Sequence, residues 1–199
     1  MRFLELGKEL LTNNSVAQPA EIQLAMNHIL NVERGAQRSG TELELTSPIS
    51  TAVQTTRPLF RWRQVPGATE YKVTIATGDR AAVIWEQAVG GRTAFVLPPR
   101  SPELPRGKAF SWNVETTIDG NLMLSEPGYF WVLDQASSET VREAEQEFGN
   151  SALALAAVYE AYGLYDNAES RIRELADLNP GDPRPTKMLA ALLNVRRKN

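Results

Sequence analysis

His28 is the single histidine of a 199-residue chain that has no cysteine. A metal site built on it would need carboxylate companions one helical turn away. Glu21 and Glu33 stand at the wrong helical offsets, so no metal centre is expected. A nucleophilic triad would depend on His28 as its base, and no strand–turn–helix nucleophile elbow accompanies it. The glycines of "GDR" at Gly78 and "VGGRT" at Gly90–Gly91 are followed by no P-loop lysine and form no dinucleotide fingerprint, so they read as turns. Glu70, Glu86, Glu103 and Asp119 are the carboxylates from which a glycoside-hydrolysing pair could be drawn. They sit at strand ends and turns, where solvated acids ordinarily sit. Trp85 and Trp131 offer another chemistry, an aromatic platform for a sugar ring. The expectation is a chain without catalytic residues, cofactor or metal, with sugar binding and carboxylate-pair hydrolysis as the alternatives.

Composition narrows the classes further. A hydrophobic fraction of 42% with 23% charged residues is that of an ordinary soluble protein with one or two cores. The net charge of −3 argues against a nucleic-acid surface; the basic runs "RWR" and "RRK" are short. Absent cysteine removes a disulfide framework and thiolate chemistry, and suits both the cytoplasm and a cysteine-poor periplasmic protein. In the opening "MRFLELGKELL", Glu5, Lys8 and Glu9 interrupt the apolar core that a signal peptide needs. No run approaches the roughly 20 apolar residues of a membrane span. The chain as written is therefore expected to be cytoplasmic, or periplasmic if it belongs to a longer membrane-anchored protein.

Three segments must position any functional residue. Residues 1–40 read as helical. "PAEIQLAMNHILNVERG" sets Ile22, Ala25, Met26, Ile29 and Leu30 on one stripe, with Pro19 at its start and Gly35 at its stop. The stripe is expected to dock on the chain's own next domain. "AQRSGT", residues 36–41, reads as a linker.

Residues 41–134 change to period two. Seven strand segments are expected: "ELELT" with "TAV", then "LFRWRQV", "EYKVTIAT", "AVIWEQAV", "TAFVLP", "KAFSWNVETT" and "GYFWVLD". Pro66-Gly67, Gly90-Gly91 and Asp119-Gly120 mark turns. Alternation puts Phe60, Trp62, Tyr71, Val73, Ile75, Phe110, Trp112, Val114, Phe130 and Val132 in the core, and Leu59, Arg61 and Arg63 in solvent. The last segment is apolar on both faces, so Tyr129, Trp131 and Leu133 need a partner surface. "RPLFRWRQVPGATEYKVTI" followed by "LPRGKAFSWNVE" resembles a fibronectin type III-like domain. Trp62 and Tyr71 match its core aromatics, and Leu104, Gly107 and Phe110 match its corner motif. The family's corner residue is usually Tyr; Phe110 has no hydroxyl, so here the corner must rely on packing.

Residues 135–199 change to period 3.6. Thr140 with Glu143, and Asp166 with Glu169, have capping-box spacing, Gly149 closes a helix, and Pro180 and Pro183 forbid continuation. The terminal "RRK" suits a helix C-terminus. Leu155, Ala156, Tyr159, Gly163, Ala168, Ile172 and Pro180 fall at the spacing of a tetratricopeptide repeat, which this segment resembles, with Ala152 where a large aromatic is common. One repeat cannot bury both its faces and must lean on neighbours. The combination of sandwich and helical repeat resembles the C-terminal extracytoplasmic part of bacterial membrane-anchored anti-sigma-factor-like zinc-finger proteins. The zinc module and the span of those proteins have no counterpart here.

The fold class expected is α+β with segregated halves: a seven-stranded antiparallel sandwich, an N-terminal helix and a C-terminal helical unit. The function expected is a non-catalytic protein-binding or scaffolding module. Tyr129, Trp131, Leu133, Trp85, Tyr159 and Tyr162 are the candidate interaction surface. A protein is the expected partner, carbohydrate the less favoured one, with no nucleic acid and no membrane insertion.

Overall fold

The structure is a computed structural model that describes residues 2–35 and 43–198. The linker expected over residues 36–41 and the side chain of Leu30 lie outside the described residues. The fold is mixed α/β. The described residues form six helices and nine strands, the strands arranged in two sheets. The chain divides into two compact units, Met1–Asn27 with Asp134–Asn199, and His28–Leu133.

The β unit carries β1 (Leu45–Ser47), β2 (Thr51–Val53), β3 (Leu59–Trp62), β4 (Tyr71–Thr77), β5 (Val83–Gly90), β6 (Ala94–Val96), β7 (Lys108–Ile118), β8 (Asn121–Leu124) and β9 (Gly128–Val132). One sheet runs β1-β3-β6; the other runs β2-β9-β7-β4-β5, with β8 also on β7. Two strands go beyond the seven segments expected. "TAV" is a strand of its own: β2 leaves the sheet of β1 and pairs with β9, in parallel. Asp119 and Gly120, both at positive φ (51° and 79°), form a two-residue turn that returns the chain as β8. In β8, Leu122, Met123 and Leu124 are consecutive apolar residues, which hides the strand's alternation.

Period-two alternation sorts the faces as the physics of a pleat requires. On β3, Leu59 and Arg61 are exposed, whereas Phe60 and Trp62 are buried. Phe60 pairs with Phe95 of β6 and packs across to the second sheet, with ring centroids 5.0 Å from Trp112 and 5.6 Å from Phe130. Tyr71, Val73, Ile75, Val114 and Val132 complete that core, all fully buried. The Tyr71 hydroxyl accepts the Val65 N–H at 2.8 Å, and Trp112 Nε1 donates to the Pro48 carbonyl at 2.8 Å. The corner leading into β7 holds by packing and backbone bonds: Leu104 and Phe110 are buried, and the Gly107 N–H donates to the Val132 carbonyl at 2.8 Å.

The helical unit carries α1 (Arg2–Asn13), the start of α2 (Ala20–Gly35), α3 (Gln135–Phe148), α4 (Ala152–Ala161), α5 (Tyr165–Leu178) and α6 (Pro183–Lys198). Its N-terminal helices pack against the C-terminal ones. Helix α1 packs on α4. Gly163, at φ 70°, admits the α2 stripe: a methyl group there would stand 2.9 Å from Met26 Sδ. Leu155, Ala156, Ala168 and Ile172 are buried where α4 and α5 meet.

The expected capping boxes are not formed. Asp134 is the N-cap of α3, accepting the Ser137 N–H at 2.8 Å; this cap stands six residues before Thr140, which leaves that residue inside the helix. The Thr140 hydroxyl instead donates to the Ala136 carbonyl. Helix α5 starts at Leu164 without a side-chain cap. Asp166 and Glu169 are drawn sideways to Arg196, at 2.8 and 3.2 Å. Arg196 stands in the last turn of α6, at the helix end expected for it, and also ties α6 to α5.

Trp62 is deep in the core and Trp131 half-buried. Trp62→Ala should therefore lower stability by about 3–5 kcal/mol, and Trp131→Ala by about 1–3 kcal/mol. Urea titrations read by far-ultraviolet circular dichroism check the ranking; equal losses would contradict it.

Candidate functional site

The residues singled out from sequence do not come together as one exposed surface. Tyr129 and Leu133 are buried, as are Tyr159 and Tyr162. Tyr159 donates its hydroxyl to Glu145 Oε1 at 2.8 Å, and burial pushes its phenol up to about 12. Trp131 is half-buried in β9, flanked by Ala52 and Ala109. Trp85 is half-buried and stacked on Phe95, centroids 4.4 Å apart and planes 22° from parallel. One face of its indole is thus taken, which removes half of the sugar platform.

The carboxylates considered for hydrolysis are dispersed. Glu86 pairs with Lys72 at 3.4 Å on the outside of the sheet. Glu103 accepts from the Thr56 hydroxyl and faces Arg57. Glu70 and Asp119 are exposed, Asp119 in the β7–β8 turn. His28 is exposed on α2, and among the described residues no group of three or more His, Asp or Glu is placed to hold a metal. No helix among them is long and apolar enough to cross a membrane.

What the fold does expose is backbone. Strand β5 ends one sheet and β6 ends the other, so each has one side of its ladder without a partner strand among the described residues. The two free edges border one open cleft of about 710 Å³, lined by residues 87–92, 94–96 and 98. Glycines read as turn residues, Gly90 and Gly91, form part of its wall. Val89 and Phe95 are buried at its apolar base, the exposed side chain of Val96 lines it on β6, and Ile84 is exposed further along β5. Arg92 is the one charged residue in the lining and has no ion pair among the described residues. Arg57 holds the far rim: its guanidinium donates to the carbonyls of Leu97, Pro98, Pro99 and Ser101.

Local sequence explains the open edge. Register shifts in the β4–β5 pair fall beside Ile84 and Val89, leaving Trp85–Ala88 as the regular stretch between two bulges. No lysine or proline protects that stretch, and such residues are the usual guards of an edge. Comparison with known proteins finds no matching family model, and no curated protein is significantly similar in sequence.

The cleft was missed from sequence because its determinant is strand order. "AVIWEQAV" and "TAFVLP" were both legible as strands, but nothing local says that each ends a sheet. A second residue escaped as well. Glu160 is the lone charge inside the apolar run "ALALAAVYEA", and it is buried; that isolation was a readable signal.

The open edge has a direct signature in hydrogen exchange. Amides along β5 should divide into protected ones bonded to β4 and unprotected ones facing the cleft, while those of residues 72–76 in β4, paired on both sides, stay protected. Residue-resolved exchange measures this. Uniform protection along β5 would mean that its edge is covered.

Proposed function

We propose that the chain is a non-catalytic protein-binding module, in which a fibronectin type III-like sandwich takes up an extended peptide at the β5–β6 cleft. The tetratricopeptide-like helical unit is the second half of the scaffold. The observation that carries this reading is the convergence of two free strand edges on one cleft. Unpaired N–H and C=O groups at strand spacing are matched best by another strand, and added main-chain hydrogen bonds supply affinity while alternate side chains supply specificity. The apolar base formed by Val89 and Phe95 suits an apolar side chain of that peptide. The unpaired Arg92 makes the cleft cationic, so the complementary occupant is a peptide of a partner protein that carries a carboxylate near its end.

The resemblance to the extracytoplasmic part of anti-sigma-factor-like proteins supports a sensing or assembly role at a bacterial envelope. Sugar binding has less support, because Trp85 gives one ring face to Phe95. Hydrolysis has less support because the acids considered for it are scattered over the surface.

The test is selection of random eight-residue linear peptides against the full chain. Enriched peptides should alternate apolar residues, carry an acid, and perturb the amide resonances of residues 83–90 and 94–96. The double variant Ile84→Lys, Val96→Lys should weaken them about tenfold or more, since edge lysines block strand addition, and Arg92→Glu should weaken the acidic ones selectively. Peptides that map elsewhere, or a glycan array or glycosidase and esterase panel that finds a ligand or substrate when no peptide binds, would overturn the reading.

A further inference from the structure

Glu160 lies within α4 at 3% exposure. Its Oε1 accepts the Val16 N–H at 3.2 Å, and its Oε2 is buried without a hydrogen-bond partner. Residues 14–19, which join α1 to α2, converge on the same place. Gln18 Nε2 donates to the Glu160 carbonyl at 3.1 Å and to the Tyr165 hydroxyl at 3.0 Å. The Ala17 N–H donates to Glu9 Oε1 at 2.9 Å, and the Val16 side chain is buried. This connection is thus seated beside Glu160, with one of its bonds made to that buried carboxyl.

Among the described residues no cation pairs with that acid. Helix α1 brings Glu9, a like charge. Helix α5 brings the neutral Tyr165 hydroxyl, which burial pushes up to about 12. Glu145 of α3 is engaged by Tyr159, and Arg196 of α6 by Asp166 and Glu169. Near the end of α4, α2 brings the apolar Ile22 and Met26 to Gly163. A neutral acid here leaves one hydroxyl unsatisfied, whereas a carboxylate leaves a buried unpaired charge, which is far less favourable.

We propose that residues 14–19 form a proton-controlled latch: they are seated on α4 while Glu160 is a neutral acid, and ionisation of Glu160 loosens them. Desolvation first, then Glu9, pushes the Glu160 carboxyl from the ordinary 4.5 up to about 7, against the opposing Val16 N–H. The folded form therefore keeps a proton that the open form has lost. Seating is complete below about 4.5, weakens as pH rises towards 7, and is fully weakened above it.

Hydrogen exchange of residues 14–19 in the full chain, read by mass spectrometry and corrected for intrinsic rates, tests the latch. Between roughly pH 5.5 and pH 8.5 protection of this segment should fall roughly tenfold or more. In Glu160→Gln, which keeps the shape without the titration, protection should be the same at both pH values; His28, present in both chains, is thereby excluded as the source. A pH response that persists in Glu160→Gln overturns the proposal. If that variant does not fold, carbon-13 titration of the glutamate carboxyls in the unaltered chain decides: a Glu160 midpoint near 7 supports the latch, and one near 4.5 overturns it.

Discussion

The β unit depends on the packing of Phe60. This one side chain, fully buried on β3, touches rings from both sheets: Phe95 beside it, Trp112 and Phe130 across from it. Pairs of this kind contribute about 0.5–1.5 kcal/mol each beyond the area they bury, and here they share one member. The same ring chain runs outward, from Phe60 through Phe95 to Trp85. The interior packing that joins the sheets thereby also fixes the wall of the β5–β6 cleft, and a change at the centre is felt at the rim.

Much of this was legible in local sequence. Parity along "LFRWRQV" placed Phe60 and Trp62 inside and Leu59, Arg61 and Arg63 outside, because a pleat leaves no other choice once one face is buried. The apolar last strand was legible too: β9 is buried at Tyr129, Phe130 and Val132, with Trp131 half-covered. What local pattern could not carry is pairing. Whether "TAV" continues the strand before it or crosses to the other sheet depends on the hydrogen bonds offered by β9, far along the chain. Which strands end their sheets depends on the same global order, and so the cleft stayed hidden.

Among the helices, the misreadings share one cause. Capping boxes are local bonds of modest strength, and each met a stronger competitor. Asp134 stood six residues ahead of Thr140, and Arg196 offered Asp166 and Glu169 a charge-assisted partner from another helix. Helices α4 and α5 did need neighbours, as their apolar faces required. Helix α1 supplies one of them, from the other end of the chain. Glu160 belongs to the same lesson: its position in an apolar run marked it as unusual, but only tertiary packing made it a buried acid facing the backbone of residue 16.

The first and last strands of the larger sheet, β2 and β9, run parallel, from Thr51 beside Phe130 to Val53 beside Val132. Backbone bonds extend this ladder at both ends, from the Ser50 N–H to the Tyr129 carbonyl and from the Leu133 N–H to the Val53 carbonyl. Parallel neighbours at the two ends of a β unit have a mechanical meaning. Tension between the start of β2 and the end of β9 pulls the two strands along their length in opposite directions. The bonds between them are then sheared together, whereas the ladder of a hairpin opens one rung at a time. Under such tension this short parallel ladder would give way as one unit.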